Sequence, residues 1–317
     1  MSVRPFHFAR FVSAAFALLL LLVATPQAHA ADKPDFLVDA EWLESHMDDP
    51  KLVLLEVRYH PHRYFTIGHI PRAIQVKRFM DLGDNHGETL MHLPPREQFQ
   101  ATLRRWGVND DSLIVIYDDS RTALASRLYY LLALYGFDTS RVKILDGGLT
   151  AWQAFNELTK EEPAVTPGAV TLKPADASMF VAWTYVYDKV VSRRDPQVVL
   201  IDARPHEGYT GERFTHAVRA GHIPGAINIV SLDGTDSETH EWKPLSEIAK
   251  MYANVPKDRT IVLYCHDGFR MSLGWLQLKA LGYRDVRLYN GGWGHWGNRF
   301  SLPVVKGDKP LSGAFRY

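Results

Sequence analysis

The stretch Ile261-Val262-Leu263-Tyr264-Cys265-His266-Asp267-Gly268-Phe269-Arg270-Met271-Ser272 contains the only cysteine of the chain. An apolar, strand-like run ends on the thiol, a short polar loop with Gly268 and Arg270 follows, and a helical pattern then begins. A thiol at the mouth of such a turn faces backbone N–H groups and the positive end of a helix, both of which favour thiolate. A lone cysteine is more often a small buried hydrophobe than a catalyst. Cys265 departs from that pattern because it lies past the apolar run and because Asp267, Gly268 and Arg270 make a poor core. With one cysteine, no internal disulfide accounts for it either. Cys265 is therefore the candidate nucleophile.

Outward from this stretch, the chain repeats itself. Ile261–Tyr264 echoes Ile114-Val115-Ile116-Tyr117, and Ile201-Asp202-Ala203-Arg204 echoes Leu55-Glu56-Val57-Arg58. Gly68-His69-Ile70-Pro71 returns as Gly221-His222-Ile223-Pro224, and Asp146-Gly147-Gly148 as Asn290-Gly291-Gly292. The offsets stay close to 150 residues in all four blocks. That period is too long for a solenoid, so each copy should bury its own core. Strands are expected at Leu52–Val57, Ile114–Tyr117 and Val142–Leu145, and again at Val198–Ile201, Ile261–Tyr264 and Val286–Tyr289. Helical stripes run through Leu124, Leu128, Leu131 and Tyr135, and through Leu273, Leu276, Ala280 and Leu281. The alternation predicts an α/β fold of two tandem domains, each a parallel sheet flanked by helices on both faces. In such sheets the ligand crevice lies beyond the carboxyl ends of the strands, where Cys265 sits.

The ends and the overall charge narrow the function classes. Residues 1–30 read as a secretory signal: Arg4 and Arg10, an uncharged run from Phe11 to Ala24, then Ala28-His29-Ala30 before the cleavage point. The mature chain would then be periplasmic, with no stable membrane insertion after cleavage. The full chain carries 36 Lys+Arg and 36 Asp+Glu, a balance that points to no nucleic-acid partner. His60-Pro61-His62 is a polar loop, and no cluster has metal-ligand spacing. The domains fall at 31–160 and 170–317, joined by a charged, Pro/Gly-bearing linker at 161–169.

Together these blocks resemble the tandem-domain rhodaneses, the thiosulfate and 3-mercaptopyruvate sulfurtransferases. The resemblance rests on Asp202-Ala203-Arg204, both Gly-His-Ile-Pro blocks, the Cys265 loop and Asn290-Gly291-Gly292-Trp293. It implies that only the second domain is catalytic, since Asp118 stands at the first-domain position of the cysteine. It also implies that Cys265 takes a sulfane sulfur as a persulfide, held by the loop His266, Asp267, Gly268, Phe269 and Arg270, with no cofactor and no metal. Arg270 follows Cys265 after four residues, one fewer than in the Cys-x5-Arg phosphatases, and the smaller ring suits sulfur.

Two positions depart from the thiosulfate-using members that the chain resembles: Asp267 stands where they have a basic residue, and Gly208 where they have Arg. Arg270, His266 and Arg213 are the cations that could compensate. Arg204 binds substrate or, the stronger reading, is buried against a carboxylate such as Asp202. Tyr59 lines the pocket or belongs to the core. His69, His222, Trp293 and Trp296 are expected to be structural. The partners implied are a small sulfur donor and a thiol or cyanide acceptor. A non-enzymatic persulfide carrier delivering sulfur to a protein is the alternative, and a rhodanese-fold phosphatase a weaker one.

Overall fold

In the computed structural model, which describes residues 1–2, 32–87, 89–214 and 217–311, each half of the chain builds one five-stranded sheet with every pairing parallel. The first contains β1 (Leu37–Val38), β2 (Leu52–Val57), β3 (Ile74–Val76), β4 (Leu113–Asp118) and β5 (Val142–Leu145), in the order β1-β5-β4-β2-β3. The second contains β6 (Phe180–Val181), β7 (Val198–Asp202), β8 (Ile227–Asn228), β9 (Thr260–Tyr264) and β10 (Val286–Tyr289), in the order β6-β10-β9-β7-β8. The six expected strands are all present. The four edge strands have only two or three residues, too few to show a period.

Apolar runs form the central strands because both faces of a parallel sheet are covered. β4 and β9 lie in the middle of their sheets, and Ile114, Ile116, Ile261 and Leu263 are fully buried. The registers Val57↔Asp118 and Asp202↔Tyr264 bring the carboxyl ends of neighbouring strands level. The loops after these strands therefore open on the same edge of each sheet.

The two sheets are joined by two long helices, Ala123–Leu134 and Phe269–Ala280, which pack against each other across the domain boundary. Tyr130 and Trp275 meet there edge to face, with ring centroids 5.2 Å apart. One apolar cluster runs through both halves. The expected stripes are only part of what these helices bury. Ser126, Arg127 and Tyr130 on one, and Ser272 and Gln277 on the other, are as inaccessible as the leucines.

The end of the linker and the first residues after it stay on the first domain. Gly168 N–H donates to Arg104 O, Val170 N–H to Val108 O, and Lys173 N–H to Tyr135 O, at 2.8, 3.1 and 2.9 Å. The expected signal segment, residues 1–30, lies outside the described residues apart from Met1 and Ser2. Among the described residues no helix is long and apolar enough to cross a membrane, and no group of His, Cys, Asp or Glu could hold a metal ion.

Candidate active site

β9 ends at Tyr264 and delivers Cys265 to the carboxyl edge of the sheet. The chain then curls through Gly268, at φ +106°, into the helix that starts at Phe269. Only glycine enters that conformation freely. The curl aims the Gly268 N–H at Cys265 Sγ, 3.1 Å away. The loop rests on the short helix Gly292–Trp296: Trp293 N–H donates to Cys265 O at 2.8 Å and Gly294 N–H to His266 O at 3.1 Å. A Cβ at Gly292 would stand 2.5 Å from Cys265 O, so the second glycine of Asn290-Gly291-Gly292 is what lets the floor close.

The first domain repeats this loop with a carboxylate in place of the sulfur. Asp118 is 3 % exposed and accepts four backbone N–H bonds, from Ser120 and Thr122 on one oxygen and from Leu124 and Ala125 on the other, at 2.8–3.0 Å. Gly148 lies against Asp118 O as Gly292 lies against Cys265 O. The first-domain loop is thus a ring of inward N–H groups, an anion-binding geometry, and the second-domain loop turns the Gly268 N–H inward in the same way. Burial raises the Asp118 carboxyl to about 6, against the N–H bonds that lower it, so it is ionised at neutral pH.

The resting Cys265 does not have the lowered thiol pKa expected from the sequence. The sulfur is fully buried, and burial is the largest influence, pushing the thiol above its usual range; the charge of Asp267 adds to the rise. Arg270 and the N–H groups of Met271 and Gly268 act in the opposite direction and do not overcome it. The loop favours an anion, yet closing it over the sulfur removes the water that a thiolate needs.

The other predicted positions separate. His266, Asp267 and Arg270 are half-buried around the sulfur, and Phe269 is buried. Arg204 is buried in an ion pair with Asp202 at 2.6 Å and donates to Gly221 O at 2.7 Å, so it does not line a pocket. Arg58 repeats the arrangement in the first domain with Glu56 at 2.6 Å and Gly68 O at 2.9 Å. His69 and His222 are buried and stacked on Tyr64 and Tyr209, at 3.8 and 3.7 Å. Trp293 and Trp296 are packed away. Gly208 lies buried in the helix His206–Thr210, and Arg213 is exposed beside Glu207.

Tyr59 is half-exposed, with the Arg78 guanidinium 3.9 Å over its ring. Arg78 also lies 4.2 Å over Phe79 and 5.9 Å from Phe269, while Phe79 meets Phe269 edge to face at 6.1 Å. This first-domain cluster therefore reaches Phe269, the first residue of the helix that follows Cys265, and Arg78 Nε is buried without a hydrogen-bond partner. Nothing in the sequence marks Arg78, which belongs to no repeated block and reaches the loop only through the docking of the two domains.

The rhodanese-like domain family matches residues 39–155 and 187–299. The chain is 32% identical over 291 residues to the sulfur carrier protein TtuD of Thermus thermophilus, covering 87% of this chain and 98% of that one. It is 30% identical over 287 residues to the 3-mercaptopyruvate sulfurtransferase of Escherichia coli K12, covering 85% and 97%. The crystal structure of SseA from Escherichia coli, described as a 3-mercaptopyruvate sulfotransferase, superposes with a TM-score of 0.70 at 29% identity, over 81% of this chain and 98% of that one. The fold and the loop define a two-domain enzyme of the sulfurtransferase class. The chain belongs to the rhodanese-like family.

Proposed function

We propose that this enzyme moves a sulfane sulfur from a small donor to a thiophilic acceptor through a Cys265 persulfide. The thiolate of Cys265 attacks the outer sulfur of the donor. The bond from that sulfur to the rest of the donor breaks and its electron pair leaves with sulfite or, from 3-mercaptopyruvate, with the pyruvate carbanion, which takes a proton. An acceptor thiolate or cyanide then attacks the outer sulfur, and Cys265 departs as thiolate. Splitting the transfer in this way gives ping-pong kinetics.

The observation that carries this reading is the Asp118 loop. A carboxylate oxygen of Asp118 lies two bonds beyond Cβ, and so would the outer sulfur of a Cys265 persulfide. Four backbone N–H groups hold those oxygens. The second-domain loop, one residue shorter between Cys265 and its helix, turns the Gly268 N–H on the sulfur, which supports an anion there without a dedicated base. Asp267 disfavours a dianionic donor, whereas Arg270 and Arg78 suit a single carboxylate, so 3-mercaptopyruvate fits better than thiosulfate. Resemblance to a sulfur carrier protein keeps delivery to a protein acceptor as a second reading.

The test incubates wild-type protein and Cys265→Ser with thiosulfate and separately with 3-mercaptopyruvate. Intact mass should show one added sulfur atom on the wild type alone, and cyanide should then release it as thiocyanate. Loading without turnover would favour the carrier, and no loading from either donor would remove the small-donor reading. Export to the periplasm is proposed on the signal-like residues 1–30, and N-terminal sequencing of the periplasmic fraction should begin near Ala31.

A further inference from the structure

Arg127 lies on the first-domain helix Ala123–Leu134 and is completely buried. Its side chain crosses the domain boundary. Nη1 donates to Asn290 Oδ1 at 2.8 Å, Nη2 to Met91 O at 3.2 Å and Nε to Leu82 O at 3.3 Å. All three acceptors are neutral, and among the described residues no carboxylate forms an ion pair with it. A buried guanidinium carries a large desolvation penalty, and hydrogen bonds to neutral groups leave its charge intact.

That charge lies directly under the catalytic loop. A Cβ built on Gly268 would stand 3.2 Å from Arg127 Nη1 and 3.3 Å from Cζ, and Gly268 is the residue whose N–H reaches Cys265 Sγ. The repeat shows what the site lacks. Asp146, the first-domain counterpart of Asn290, is ionic and takes Lys33 at 2.5 Å. Asn290 gives its oxygen to Arg127 and its amide N–H to Met91 O at 2.9 Å, holding the guanidinium without neutralising it.

We infer that Arg127 is a positioning residue for sulfur transfer, a fixed cation supplied by the domain that lacks the cysteine, which stabilises the anionic sulfur of Cys265, and that Asn290 keeps this charge available. The inference rests on the Cys265 reading above. The other charged or titratable groups around the sulfur are His266, Asp267 and Arg270 on its own loop, Arg78 beyond Phe269, and the Arg204–Asp202 pair beside β9. Asp267 opposes ionisation, and the Arg204 charge is cancelled by its partner. Arg270 acts on the sulfur from its own loop, and Arg127 from the buried side of the domain boundary, where water screens its charge little. Burial lowers the Arg127 pKa, and the nearby Tyr130, Cys265 and Asp267 act against that lowering.

The experiment measures the pH dependence of Cys265 alkylation by iodoacetamide in the full chain, together with Tm, for Arg127→Gln, Arg127→Lys and Asn290→Asp. Arg127→Gln should slow alkylation at pH 7 about tenfold, corresponding to a rise of about one unit in the thiol pKa. Arg127→Lys should stay within about threefold of wild type even where Tm falls, because it keeps the charge and loses only the fork. Asn290→Asp is nearly isosteric and covers the case in which the Arg127 variants do not fold. It should raise the thiol pKa, since the new carboxylate pairs with the buried cation; Tm is read alongside because the amide donor to Met91 O is lost.

Wild-type profiles in folded Arg127→Gln or Asn290→Asp would overturn the inference. So would an Arg127→Lys profile as slow as that of Arg127→Gln, which would make the role one of shape alone. Alkylation reads the resting thiol, so it is informative even if wild type gains no sulfur from any donor; that separate result would count against the persulfide reading.

Discussion

Asp118 and Cys265 take backbone donors from the same part of two copies of one loop. Thr122, just before the first-domain helix, gives its N–H to the carboxylate, as Gly268, just before the second-domain helix, gives its N–H to the sulfur. The first-domain loop is thus closed on an anion of its own, and its role is structural. Asp118→Ala leaves four inward N–H groups without an acceptor and should cost at least about 2 kcal/mol. Calorimetry should show a Tm lower by roughly 5 °C, with the Cys265 alkylation rate unchanged.

The same carboxyl sets a pH trend. Asp118 is raised from 3.8 to about 6, so the folded chain holds its proton more tightly than the unfolded chain. Its contribution to stability is complete below about pH 4, declines as pH rises through about 6, and is level above that. The difference in unfolding free energy between wild type and Asp118→Ala should follow this course in denaturant titrations from pH 4 to 8.

Burial and Asp267 push the Cys265 thiol up, and in the proposed transfer the thiolate is the attacking species. The kcat/KM for donor should therefore keep rising between pH 7 and 9 instead of levelling at neutrality. Asp267→Asn removes the like charge and should speed alkylation at pH 7 roughly fivefold. Arg270→Gln should slow it. Equal rates in all three proteins would show that the loop charges do not reach the sulfur.

Arg78 presents an unpartnered Nε beside Tyr59, Phe79 and Phe269. Removing one charge-assisted contact to an anionic donor costs about 1.5 kcal/mol or more. Arg78→Ala should raise KM for 3-mercaptopyruvate about tenfold with kcat little changed. A lowered kcat at constant KM would instead place Arg78 in the chemistry.

Asp202→Asn leaves the buried Arg204 without its counter-charge and should destabilise the second domain by about 3–5 kcal/mol. The measurement is the unfolding midpoint in urea. A stable variant with an altered donor KM would return Arg204 to the binding site.

The repeat, the central strands and the cysteine loop could be read from the sequence because each rests on local chemistry. Apolar runs become strands wherever both faces are covered, and glycines mark the places where backbone must curl or approach closely, as at Gly268 and Gly292. The Arg204–Asp202 pairing was also readable, since both members share one block. The thiol pKa could not be read in this way. The sequence shows a ring of donors around Cys265, but only the closed structure shows how completely the sulfur loses water. Arg78 and Arg127 were silent for a related reason: neither lies near the cysteine in the chain, and each reaches the Cys265 loop only across the domain boundary. Sequence spacing fixes what happens within one strand–loop–helix unit, whereas the charge on the far side of the domain boundary is set by how the two units dock.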